Sequence, residues 1–361
     1  MGDPLRHVKP AVRALKAYTL AARQAPIKIN QNENPFELPE AMKRRVVERA
    51  LARPWGRYPE FDPHALTAAL AEFAGWRPDG VLAGNGSNEL IEALLLVTVG
   101  PGTKVVIPEP TFTLYALLTS ILGGEAVRVS LGPDLEYDAE TISQARRQRE
   151  ASVTIVCSPN NPTGGTLARE AVARLCAEGD GLVVIDEAYH EFAEVGDFLD
   201  LRNRYEHVVL LRTLSKFVSL AGVRCGLLVA APEIVEFSQS VLPPYTFPTP
   251  SIEHVLEALS TDALRVSEER VTLLKRERAR LSAALLDIPD VRKVYPSDAN
   301  FVMVRTRDGQ AFRETARRAG ILVRTFDDPL LTNCVRITVG RPADNDLLLR
   351  AVAGAERATD A

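Results

Sequence analysis

"ASVTIVCSPNNPTGGTLAREAVARLCAEGDGLVVIDEAYHEF", residues 151–192, sets two short runs rich in Val and Ile on either side of an amphipathic segment. Neither run alternates apolar with polar residues, which is the pattern of a strand buried on both faces. The segment between them, "REAVARLCAEG", has helical spacing. Strand, helix and strand in this order make the βαβ unit of a parallel sheet. The same rhythm extends outward through the strand-like runs "VLAGNG", "KVVIPEP", "EAVRVSL", "HVVLLRTLS" and "CGLLVAA", with "NELIEALLLVTV" and "LYALLTSILGG" as helices between them. After Pro243-Pro244 the pattern changes. A long charged helical segment, "DALRVSEERVTLLKRERARLSAALLDI", leads into "VRKVYPSDANFVMVRT", "GQAFRETARRAG", "ILVRTF", "CVRITVG" and "DNDLLLRAVAGAE", a smaller α+β unit. The expected fold class is α/β: a large domain over residues 45–262 with a mostly parallel sheet covered by helices. Residues 1–44 and 263–361 are expected to form an N-terminal arm and a small C-terminal domain.

Composition narrows the function classes. With 46% hydrophobic and 25% charged residues in 361, the chain has ordinary globular composition and length enough for two domains. A net charge of -4 with scattered basic residues leaves no electrostatic footprint for nucleic acid or an anionic membrane, and neither is expected as a partner. Cys157, Cys176, Cys225 and Cys334 lie far apart without a CxxC pair, so they read as reduced core thiols rather than a zinc site or disulfide framework. No metal is expected. "MGDPLRHVKPAVRALKAYTLAARQ" carries charges throughout and no apolar stretch of signal-peptide length, and Gly2 lacks the downstream Ser or Thr of a myristoylation motif. A cytoplasmic protein is the expectation.

In an open α/β sheet, ligands bind where strands end at their carboxyl edge. Five segments fall there or in the small domain. "GNGSNE", Gly84 to Glu89, follows a strand and opens a helix, where Gly86 lets backbone N–H groups approach an anion and Ser87 and Asn88 add side-chain donors. A plain turn is the competing reading, and the missing third glycine argues against a dinucleotide site. "CSPNNPTGG" places Asn161 before a proline at a strand end, either as a turn or as a fixed amide in a cleft. "VVIDEAYHEF" ends an apolar run in Asp186 and then Tyr189, where an aspartate serves equally as a helix cap. "RTLSKFVSLAGVRCG" sets Lys216 among apolar neighbours. Desolvation would push its amine toward the neutral, nucleophilic form, while Thr213, Ser215 and Arg224 would bind a phosphate nearby. A surface lysine at a strand end is the alternative. Arg336, in the apolar "CVRITVG", wants an anion, either a ligand or a structural carboxylate.

Together these are the parts that pyridoxal phosphate chemistry needs: an amine, a carboxylate for the pyridine nitrogen, donors for the ring oxygen and a phosphate cradle. The order GxGSxE, SPNNPTG, DEAYxEF, TLSKxxxLAGxRxG and RITVG resembles the fold-type I pyridoxal-phosphate-dependent aminotransferases, and most nearly the histidinol-phosphate aminotransferase family. The likeness runs from "IKINQNENPF" to the final helix.

The resemblance implies pyridoxal 5′-phosphate as cofactor, with Lys216 as the Schiff-base lysine and Asp186 as partner of the pyridine nitrogen. It also implies Asn161 and Tyr189 on the ring hydroxyl, and Gly86, Ser87, Asn88, Thr213, Ser215 and Arg224 around the phosphate. Phe112, in "PEPTFTLY", falls where the family stacks an aromatic, usually tyrosine, on the ring. Tyr58 matches a tyrosine that reaches the other subunit's cofactor phosphate, which implies a homodimer with shared sites. Arg324 and Arg336, with Asn34 and Asn161, fall on the substrate side. Asn88 stands where the family commonly has an acidic residue, and "ENPFELP" lacks a glycine often found after the aromatic. The implied reaction interconverts histidinol phosphate plus 2-oxoglutarate with imidazole acetol phosphate plus glutamate. A threonine-phosphate decarboxylase or an aromatic amino-acid aminotransferase would share nearly all these motifs. A non-catalytic regulatory module would have to keep the cofactor and lose turnover, yet no matching catalytic position is missing.

Overall fold

The computed structural model describes residues 4–13 and 25–354. Of the N-terminal segment quoted above, residues 1–3 and 14–24 lie outside the described residues, as do residues 355–361. A seven-stranded sheet forms the centre of the large unit: β1 (Val81–Gly84), β2 (Lys104–Glu109), β3 (Glu125–Ser130), β4 (Val153–Cys157), β5 (Leu182–Asp186), β6 (Val208–Thr213) and β7 (Gly226–Val229). Its order is β1-β7-β6-β5-β4-β2-β3. Pairing is parallel from β6 across to β3, while β7 runs antiparallel to both β6 and β1. The run "CGLLVAA" is thus the one strand that departs from the parallel rhythm.

The apolar runs have the burial their composition called for. Every residue of β4 and β6 is buried. Along β5, Val183 and Ile185 pack into the core on one face of the sheet and Val184 into the core on the other, as a side-chain period of two requires. All four cysteines are buried and none forms a disulfide.

The smaller unit is an antiparallel sheet of β8 (Val291–Tyr295), β9 (Phe301–Thr306), β10 (Arg324–Thr325) and β11 (Cys334–Thr338), ordered β10-β11-β9-β8. Helix Thr261–Leu286 leads into it, and helix Gly309–Arg318 links β9 to the segment before β10. The arm returns to this unit, because Ile27–Lys28 pairs in parallel with Ile321–Leu322. The boundaries read from sequence at 44/45 and 262/263 fall inside helix Glu40–Leu51 and the first turn of Thr261–Leu286, so both units share continuous helices. Among the described residues, no helix is long and apolar enough to cross a membrane.

One buried ion pair fixes the loop that follows β5. Arg212 on β6 donates to Glu187 Oε2 at 2.7 Å and to Asp197 Oδ2 at 2.9 Å, while Glu187 Oε1 accepts the Phe198 N–H at 2.6 Å. Both Arg212 and Glu187 are almost wholly buried. Breaking one side of such a pair strands a buried charge. Arg212→Met is therefore expected to lower unfolding free energy by about 3 kcal/mol in urea titration; an unchanged midpoint would show that the loop does not depend on this pair.

Candidate active site

Parallel strands end side by side, and their carboxyl ends bring distant motifs together. The turn after β4 carries Asn160 and Asn161, β5 ends at Asp186, and β6 ends at Thr213 before Ser215 and Lys216. All but Asn160 of these residues line one cavity of about 710 Å³. Ser87, Asn88, Phe112, Tyr189, Arg224, Arg324 and Arg336 open onto it as well.

Asp186 lies at the base of this cavity. Its Oδ2 accepts the Tyr115 O–H at 2.6 Å and its Oδ1 the Ala188 N–H at 3.0 Å. Burial pushes its carboxyl up to about 6, and the Tyr115 hydrogen bond works against that rise. Lys216 shifts the opposite way for the same reason. Burial lowers its amine to about 8, and the positive Arg336 nearby adds to the effect. Among the described residues, Lys216 Nζ donates to the Gln31 carbonyl at 3.2 Å and forms no ion pair.

The polar wall is held from several elements. The Tyr189 hydroxyl oxygen accepts the Asn32 amide N–H at 2.9 Å, and burial raises its phenol above the ordinary range. Arg336 Nη1 donates to Asn161 Oδ1 and Nη2 to the Asn30 carbonyl at 2.8 Å. The side chain of Asn160 points inward instead. It ties Thr111, the Pro110 carbonyl and Thr163 together and so locks the turn that presents Asn161. Asn30 Oδ1 is buried with no protein partner, an acceptor left for a ligand.

An anion cradle lies at one end. Gly86 has φ +79, and a Cβ there would fall 2.3 Å from Arg224 Nη2. Gly226 is equally constrained, since its Cβ would meet Ser87 N at 2.5 Å. Only glycines let the start of helix Ser87–Thr98, with its unpaired N–H groups, approach Arg224 this closely. Thr213 Oγ1 and Ser215 Oγ stand 2.9 Å apart beside it. This arrangement suits a phosphate group. At the other end, Arg324 and Arg336 are direct cross-strand partners. Two like charges side by side are unfavourable unless an anion bridges them.

Two residues named from the resemblance lie outside the cavity wall of their own chain. Asn34 does not face the cavity: its amide donates to the carbonyls of Lys216 and Phe217 at 3.0 and 3.1 Å, and its Oδ1 accepts the Phe36 N–H. It braces the backbone of Lys216. Tyr58 is 81% exposed and outside the cavity wall of its own chain, stacked on Tyr245 at 4.6 Å between ring centroids. Sequence reading missed Asn30, Gln31, Asn32 and Tyr115. Tyr115 had a signal, since it lies one helical turn beyond Phe112.

The family model for aminotransferases of class I and II matches residues 25–352. The chain belongs to that family. It is 37% identical to the histidinol-phosphate aminotransferase of Chlorobium phaeovibrioides over 97% of each chain. It is 38% identical to the enzyme of the same name from Chlorobium phaeobacteroides over 95% of each. In three dimensions it resembles the histidinol-phosphate aminotransferase of Sinorhizobium meliloti, solved in complex with pyridoxal-5′-phosphate, with a TM-score of 0.87, 23% identity and 98% of both chains covered. The last likeness bears on the fold.

An amine lowered to about 8 is neutral over a far larger fraction near neutral pH than an ordinary lysine. The neutral amine is the nucleophile, so reactivity rises as pH passes upward through this value. Trinitrophenylation of the apoprotein, mapped by peptide mass, is expected to modify Lys216 with a midpoint near 8 while surface lysines respond well above it. A midpoint for Lys216 in the ordinary lysine range would contradict the desolvation.

Proposed function

We propose that this aminotransferase uses pyridoxal 5′-phosphate to interconvert histidinol phosphate plus 2-oxoglutarate with imidazole acetol phosphate plus glutamate, a step of histidine biosynthesis. The observation that carries the reading is the single cavity that joins Lys216 and Asp186 to an anion cradle at one end and to Arg324 and Arg336 at the other. The choice of substrate follows the name of the relatives that match nearly the whole chain.

The donor set fits the cofactor. Ser87, Asn88, Thr213, Ser215 and Arg224, around Gly86, would hold its phosphate; Asp186 would face the ring nitrogen; Asn161 and Tyr189 would hold the ring hydroxyl; Phe112 would cover a ring face. Bound there, pyridoxal phosphate supplies an aldehyde that takes up amines and a ring that accepts the electron pair left when an α-proton departs. The Asp186 carboxylate keeps a proton on the ring nitrogen, where developing negative charge is neutralised. Lys216 Nζ is the amine that holds the cofactor at rest and the base that takes the substrate α-proton, a task suited by its lowered affinity for protons. Arg336 binds a substrate carboxylate in a planar fork, and Arg324 beside it adds charge for a second anionic group.

Tyr58 fits a role in a second copy of the chain. It lies outside its own cavity, with Trp55 and Phe61 also exposed along the same segment. A homodimer in which each Tyr58 reaches the partner's cofactor phosphate would cover this apolar arm and complete both sites.

The test is a coupled assay of amino transfer to 2-oxoglutarate from histidinol phosphate, tyrosine, phenylalanine and threonine phosphate. Histidinol phosphate is expected to have the highest kcat/KM, and Arg336→Ala to raise KM for 2-oxoglutarate by about tenfold or more. Greater kcat/KM for an aromatic amino acid, or carbon dioxide release from threonine phosphate, would overturn the substrate assignment.

A further inference from the structure

We propose that Tyr115 is a positioning residue for Asp186: its hydroxyl fixes the orientation and charge of the carboxylate that meets the ring nitrogen of the cofactor. The proposal rests on the cofactor reading above. Tyr115 is fully buried in helix Leu114–Ile121, whose preceding turn carries Phe112. Its ring meets Phe112 edge-on at 5.6 Å between centroids, and its O–H donates to Asp186 Oδ2 at 2.6 Å. One short segment thus carries both the aromatic that would cover the ring and the hydroxyl that holds the Asp186 carboxylate.

The hydrogen bonding of Asp186 explains why one hydroxyl matters. Oδ2 has Tyr115 and Oδ1 has the Ala188 N–H, so the carboxylate plane is fixed from two sides while it still faces the cavity. Without Tyr115, only the backbone bond would hold it. No ion pair reaches Asp186 among the described residues. The groups packed around it are Tyr115 from its helix, Tyr137, Cys157 at the end of β4, and Glu187 and Tyr189 on its own segment, with Lys216 in the same cavity. Burial pushes the Tyr137 and Tyr189 phenols and the Cys157 thiol up, so none of them carries charge near neutral pH. Glu187 is committed to Arg212. The Tyr115 hydroxyl is therefore the one side-chain donor that stabilises the ionised carboxylate before a cofactor arrives.

The sign follows directly. A carboxyl whose ionised form loses a hydrogen bond ionises at higher pH, and a neutral carboxyl does not pair with a protonated ring nitrogen. The experiment measures pyridoxal 5′-phosphate affinity of the apoprotein against pH, by quenching of intrinsic fluorescence, in wild type, Tyr115→Phe, Asp186→Asn and the double variant. The cofactor's own ionisations are common to all four proteins, so a difference between them reports Asp186. With Asp186 present, removing the hydroxyl is expected to move the rising limb of affinity up by about one pH unit, equivalent to a roughly tenfold loss on that limb. In the Asp186→Asn background it is expected to change nothing, the mark of coupling rather than packing. Fluorotyrosine at 115, a stronger donor, moves the limb down, a result that poor folding cannot imitate. Superimposable profiles, or equal losses in both backgrounds, would overturn the proposal. Failure of the wild-type apoprotein to bind the cofactor at all would instead overturn the cofactor reading on which the proposal rests.

Discussion

Desolvation at the carboxyl edge of the parallel sheet is the constraint on which the site depends. Asp186 and Lys216 follow adjacent strands, β5 and β6, into one cavity, and burial shifts both toward neutrality. For the carboxyl this means a rise to about 6 and for the amine a fall to about 8. The same cause acts with opposite sign because one group is charged when it has lost a proton and the other when it has kept one. An anionic partner for a ring nitrogen and a neutral amine for a carbonyl carbon are both within reach near neutral pH. The buried β strands supply this environment, so the apolar composition of the sheet is itself part of the chemistry.

A second layer of structure keeps these groups in place. The arm around residues 30–34 touches three members of the site: Asn30 and Gln31 accept from Arg336 and Lys216 through backbone carbonyls, Asn32 donates to Tyr189, and Asn34 braces the backbone of Lys216. The small unit grips the same arm, since Thr338 Oγ1 donates to Asn32 Oδ1 and Asn300 donates to the Asn32 carbonyl. Arg336 and Tyr189 are thereby linked through one short segment. Movement of the small unit would be transmitted to the wall of the cavity.

Much of this was legible in the sequence because local rules governed it. Apolar runs such as "GLVVIDEA" had only one way to be buried on two faces, and the residues that ended them had only one edge to occupy. The glycine at 86 was read as a close-approach position, and its φ and its distance to Arg224 supply the reason. What escaped was non-local. Asn34 was placed on the substrate side by the resemblance, and its amide donates to carbonyls 182 and 183 positions away. Tyr115 drew no reading of its own; it is buried, and only the meeting of its helix with the end of β5 gives its hydroxyl a charged partner. The antiparallel sense of β7 likewise cannot be read from its apolar composition, which suits either direction.

The central claim is that one lysine, made reactive by its surroundings, anchors the cofactor in this cavity. Its most direct test is borohydride reduction of the protein with pyridoxal 5′-phosphate bound, followed by peptide mass mapping. The account predicts a stable phosphopyridoxyl adduct on Lys216 alone. An adduct on a different lysine, or none on Lys216 when cofactor is bound, would contradict it.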